Sequence, residues 1–67
     1  MNFNGEELML MMLYNSGTRL GLMHELRLMQ CYLLPDETAL RELSEGVIEK
    51  LKLKSDADFD EVEFPLN

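Results

Sequence analysis

Side chains suited to chemistry are sparse in this sequence. His24 and Cys31 are its single histidine and single cysteine. An imidazole and a thiol can serve as base and nucleophile. Seven residues along one helix, however, set them about 10 Å apart along the axis, too far for direct proton transfer, and no motif supplies a third group. Zinc requires three or four His, Cys or carboxylate ligands at close spacing, which one histidine with one cysteine does not meet. The alternating acids Asp56, Asp58 and Asp60 look like the opening of a calcium loop. Such a loop needs glycine at its sixth position and a bidentate glutamate at its twelfth. Counted from Asp56 these positions are Glu61 and Asn67, so the pattern fails. Gly17-Thr18-Arg19-Leu20-Gly21 lacks both the spacing and the preceding strand of a phosphate-binding loop. Arg19, at a helix start, has the chemistry to hold a carboxylate or phosphate, and a glutamate of a neighbouring helix is its expected partner. No catalytic, cofactor-binding or metal-binding residue emerges, and the expectation is a protein that is not an enzyme and takes no cofactor.

One further group has functional content: Met9, Met11, Met12, Met23 and Met29. Methionine fills gaps in small cores by default, but its flexible thioether also adapts to varied partners. Five of the seven residues from Leu8 to Tyr14 are methionine or leucine in addition to Leu8 itself, so the helix they form is apolar around its whole circumference, which an ordinary surface helix is not. Either that helix is central to the fold or part of it meets another molecule. The second alternative makes Met9, Met11, Met12, Tyr14 and Arg19 the candidate partner-binding residues, with a homodimer through the first helix as one way to cover them.

The elements that carry these residues are short helices in a single domain, 1–67. Valine, isoleucine and threonine occur only at Thr18, Thr38, Val47, Ile48 and Val62, while leucine and methionine fill most apolar positions, so strands are disfavoured. The expected fold is all-α: a small bundle of three helices, about 5–15, 18–33 and 36–53, plus a short C-terminal helical turn within an acidic segment 55–67. Asn4 and Glu7 are spaced for a capping box, and Phe3 and Leu8 for a hydrophobic staple. Thr18 is the expected N-cap of the second helix, with Gly17 supplying the permissive backbone of the reversal. Leu22, Met23, Leu26, Met29 and Leu33 form its buried stripe. Asp36 is the expected N-cap of the third helix. Leu40, Leu43, Val47 and Leu51 make one narrow seam there, Glu42, Glu45 and Glu49 face solvent, and Gly46 permits a bend. In the last segment Ser55 or Asp56 caps a turn or two, Phe59 and Val62 fold back onto the bundle, and Pro65 ends regular structure.

Charge restricts the partners. The formal charge of -7 is concentrated at the C-terminal end, where residues 55–67 carry five acids and no base. Nucleic-acid affinity rests on Lys and Arg displacing counterions, so direct DNA binding is disfavoured, whereas a basic protein partner is electrostatically easier. At 67 residues the chain buries only about 60% of the surface its unfolded form exposes, so modest stability is expected. The lone cysteine implies no disulfide, and the apolar run from Leu8 to Tyr14 is too short for a membrane span and lacks the basic flank of a signal peptide. A cytoplasmic protein without membrane contact is expected.

The order Tyr14-Asn15, Gly17-Thr18-Arg19, Gly21-Leu22, then Tyr32-Leu33 with Pro35-Asp36-Glu37-Thr38, then Asp56-Ala57-Asp58-Phe59, resembles the transposon-transfer assisting proteins. These are short accessory proteins of conjugative transposons in Gram-positive gut bacteria. The resemblance covers nearly the whole chain, and its motifs are structural, marking no active site. It implies a non-enzymatic accessory role in transfer, through contact with a protein encoded by the transposon or its host. The residues leave an alternative open: an acidic DNA mimic or antirepressor-type decoy whose carboxylates occupy a basic DNA-binding surface.

Overall fold

The computed structural model describes residues 3–15 and 17–62. Among the described residues four helices follow one another: α1, Gly5–Tyr14; α2, Arg19–Cys31; α3, Thr38–Leu53; and α4, Asp56–Asp60. Each of the three longer helices touches the other two, and no strand occurs among the described residues. The all-α bundle with a short C-terminal helix is therefore as expected from the sequence.

Local chemistry sets most of the boundaries. Asn4 Oδ1 accepts from the Glu7 amide at 2.8 Å and Glu7 Oε1 accepts from the Asn4 amide at 2.9 Å, a complete capping box. Thr18 Oγ1 accepts from the Gly21 amide at 3.0 Å and opens α2. Gly17 makes the reversal at φ 97°, a left-handed conformation that a Cβ would strain. Ser55 and Asp58 form a second capping box at the start of α4.

Two boundaries differ from the sequence reading. α2 stops at Cys31, two residues early, because the amides of Tyr32 and Leu33 turn back to the Met29 and Gln30 carbonyls at 3.0 and 3.3 Å. Leu34 precedes Pro35, a position that disfavours helical backbone. Asp36 does not cap α3. It lies inside the turn Leu34-Pro35-Asp36-Glu37, closed by the Glu37 amide on the Leu34 carbonyl at 3.0 Å, and the N-cap is Glu37, whose side chain makes no capping bond. Proline at the second position of that turn has the fixed φ the turn requires, so turn chemistry outweighs capping chemistry here.

The core is built from Leu10 and Met11 of α1, Leu22, Met23 and Leu26 of α2, Val47, Ile48 and Leu51 of α3, and Phe59 of α4. Each such side chain contributes about 1.5–3 kcal/mol by leaving water. Leu22, Met23 and Leu26 of the expected stripe on α2 are buried and Met29 is at its partly buried edge, whereas Leu33 falls beyond the end of the helix at Cys31 and is not part of the core cluster. The seam on α3 is wider than expected, since Ile48 and Ser44 are buried beside Val47 and Leu51, while Leu40 and Leu43 pack at the margin. Ser44 is affordable inside because its hydroxyl donates to the Arg41 carbonyl at 2.9 Å and accepts from Gln30 Nε2 at 2.8 Å. Phe59 is buried and Val62 packs against the core, as anticipated for the end of the chain; Pro65 lies outside the described residues.

One charged pair also holds α1 to α3. Glu7 is only 5% exposed, and its Oε1 meets Lys50 Nζ at 2.6 Å while still accepting from the Asn4 amide. Gly46 lies within an unbroken α3, next to this carboxylate: a Cβ there would stand 3.5 Å from Glu7 Oε2. Phe3 packs against the core below the ammonium groups of Lys50 and Lys54, 5.8 and 5.5 Å from its ring centroid, in cation–π contact.

Candidate functional site

The capping box fixes where α1 begins and the Glu7–Lys50 pair fixes its rotation. With Glu7 turned inward, Leu10 and Met11 follow one turn later and are buried, and Tyr14, another turn on, packs at the core margin. The opposite side of the helix consequently carries Met9 and Leu13, four residues apart, 56% and 77% exposed. Together with Gly5, Glu6, Leu10 and Leu43 they line a shallow recess of about 530 Å³ between α1 and α3. Glu6 is the one charged residue among those lining it.

The five residues singled out in the sequence do not share a face. Met9 is on the exposed side, and Met12 and Tyr14 are half-buried. Met11 is wholly buried and belongs to the core, so it is not part of a surface in this structure. The reason is rotational: Met11 stands four residues after Glu7, on the inward face. Arg19 is occupied within the fold. Its Nε donates to Asp56 Oδ1 at 2.9 Å, and its Nη1 donates to the Leu51 carbonyl at 3.0 Å and lies 3.8 Å from the Met23 sulfur. Arg19 thereby joins the start of α2, the end of α3 and the start of α4, and its acidic partner is an aspartate of α4 rather than a glutamate.

Leu13 and Leu43 are not among the candidate partner-binding residues read from the sequence, where Leu43 belongs to the α3 seam. The spacing of Leu13 from Met9 was a usable signal, but nothing local distinguished this side of α1 from the one bearing Met11. His24 and Cys31 are both exposed on α2. Among the described residues no group of three or more His, Cys, Asp or Glu side chains is placed to hold a metal ion, and no helix is long and apolar enough to cross a membrane.

The profile of the family described as "Putative transposon-transfer assisting protein" matches residues 3–65, nearly the whole chain and every helix of the fold. The chain belongs to this family. Neither the curated proteins nor the solved structures yield a match. The family's name suggests an accessory role in transposon transfer. All four helices, and with them the exposed side of α1, fall inside the matched span, so the recess is part of the family domain and not of an appended segment.

Proposed function

We propose that this protein assists transposon transfer without catalysing a reaction or holding a cofactor, by docking onto another protein in the cytoplasm through the exposed apolar side of α1. The observation that carries the reading is the pair Met9 and Leu13, left facing solvent beside Leu43 so that they line one nearly all-apolar recess; Leu20, Leu28 and Leu53 are also exposed, but none of them lines it. Burying two such side chains on a partner contributes about 1.5–3 kcal/mol for each one fully covered, a useful share of a micromolar affinity of about 8 kcal/mol. The recess has the apolar centre expected of a docking point.

The decoy reading has less support. Asp56, one of the acids it would use, is paired with Arg19, and α4 is too short to present carboxylates at the repeat of a nucleic-acid backbone. The test is co-expression with each protein encoded by the transposon, followed by affinity purification with the wild-type chain and with Leu13→Glu. A protein retained by the wild type and lost with Leu13→Glu supports docking through α1. Retention by both variants at equal yield contradicts it, and loss on adding salt with retention in Leu13→Glu favours the decoy.

A further inference from the structure

We propose that α4 is a strap that opens by itself from a three-helix bundle that stays folded, and that Arg19 is the fixed post on which the strap latches. The α1–α3 recess plays no part in this device, so it stands or falls separately from the docking function.

The bundle and the strap are held together unequally. The three long helices pack on one another, whereas α4 approaches them at few points. Its one buried residue is Phe59, with Val62 packed at the core margin just beyond the helix. The backbone bonds of this segment are local. The Phe59 amide donates to the Ser55 carbonyl at 3.0 Å, the Glu61 amide to the Asp58 carbonyl at 3.2 Å and the Val62 amide to the Phe59 carbonyl at 3.0 Å, while the Ser55–Asp58 capping box closes the first turn. A helix of five residues does not persist in water without a surface to lie on, so detachment and melting of α4 are one event. Charge works in the same direction: Asp56 and Asp60 stand four residues apart on the helix, a like-charge spacing that weakens it.

The latch is asymmetric. On the bundle side, the Arg19 side chain is 17% exposed and is fixed by the Leu51 carbonyl at 3.0 Å and the Met23 sulfur at 3.8 Å. On the strap side, Asp56 is 77% exposed and meets Arg19 Nε at 2.9 Å. The two bundle-side contacts do not depend on α4, so the guanidinium remains in place when Asp56 leaves. Opening therefore gives up an exposed ion pair and the burial of Phe59 and Val62, and leaves the rest of the core intact. Such a unit opens more often than the whole domain unfolds.

The test is amide hydrogen exchange of the full chain, followed residue by residue by NMR at a series of sub-denaturing urea concentrations. The amides of Phe59 and Val62 are expected to exchange at least tenfold faster than those of Leu26 and Val47, and to respond weakly to urea because little surface is exposed when α4 opens. Asp56→Asn is expected to speed exchange at 59–62 about two- to fivefold and to leave Leu26 and Val47 unchanged. Phe59→Ala is expected to remove protection from 58–62 while slow exchange persists at Leu26 and Val47. Exchange at 59–62 with the rate and urea dependence of Leu26 and Val47 would overturn the proposal, since α4 would then open only with the bundle. Equal acceleration of strap and core amides in Asp56→Asn, or loss of every slow amide in Phe59→Ala, would overturn it too. So would protection at 59–62 that rises with protein concentration, because α4 would then be seated on a second copy of the chain.

Discussion

Replacing Met11 with alanine separates the two sides of α1 by stability alone. Its side chain is 0% exposed among Leu10, Leu22, Leu26 and other core members, so truncation removes its burial and leaves a cavity. Large-to-small changes of this type cost about 2–5 kcal/mol. A 67-residue domain has a total stability of about 3–10 kcal/mol at the usual 0.05–0.15 kcal/mol per residue. Met11→Ala is therefore expected to remove a fifth or more of that total and to lower Tm by about 8–40 °C, taking about 4–8 °C per kcal/mol for a domain of this size. Leu13→Ala, two residues away on the same helix and 77% exposed, is expected to stay within about 0.5 kcal/mol of wild type. Urea unfolding followed by circular dichroism at the helical band gives both values, provided the slope is unchanged between variants. A Met11→Ala loss below about 0.5 kcal/mol, or equal losses for the two variants, would refute the rotation of α1 on which the recess depends.

Glu7→Ala removes both the capping acceptor and the partner of Lys50, whereas Glu7→Gln keeps an amide oxygen for the Asn4 amide. Urea melts should show Ala costing about 1 kcal/mol more than Gln, and equal costs would mean the cap contributes nothing. Gly17→Ala places a Cβ at φ 97° and is expected to destabilise by about 1–2 kcal/mol in the same assay; a stabilised variant would mean the reversal can be made another way. Arg19→Ala is expected to cost no more than about 1 kcal/mol globally, because Asp56 is largely exposed. Its clearer signature is faster amide hydrogen exchange in 56–60 with α2 protection retained, and uniform protection would show that Phe59 alone holds α4.

What could be read from the sequence divides along physical lines. Caps made by residues three positions apart, Asn4 with Glu7 and Ser55 with Asp58, are local, and their spacing carries them. The stripe on α2 is equally legible because polar residues interrupt it and so define its phase. α1 lacks that information: in an all-apolar helix no periodicity says which side turns inward, so Met11 and Met9 were indistinguishable until Glu7 was seen bound to Lys50, 43 residues away. Glutamate is seldom buried, and nothing near Glu7 announces its partner. The same holds for Ser44, buried because Gln30 reaches it across the bundle, and for Asp36, where two local preferences competed and the proline turn prevailed. The candidate recess is a tertiary product of these choices, combining α1 residues with Leu43, and no single stretch of sequence contains it.

The most direct test of the account is conjugative transfer measured with chromosomal replacements Leu13→Glu and Leu20→Glu, protein levels being matched by immunoblot. Both leucines are exposed, Leu13 on the recess and Leu20 outside its lining. A fall in transfer frequency of about tenfold or more for Leu13→Glu, with Leu20→Glu near wild type, is the expected result, corresponding to a loss of about 1.4 kcal/mol or more in docking. Wild-type transfer with Leu13→Glu at normal abundance would contradict the claim that this protein works through the exposed side of α1.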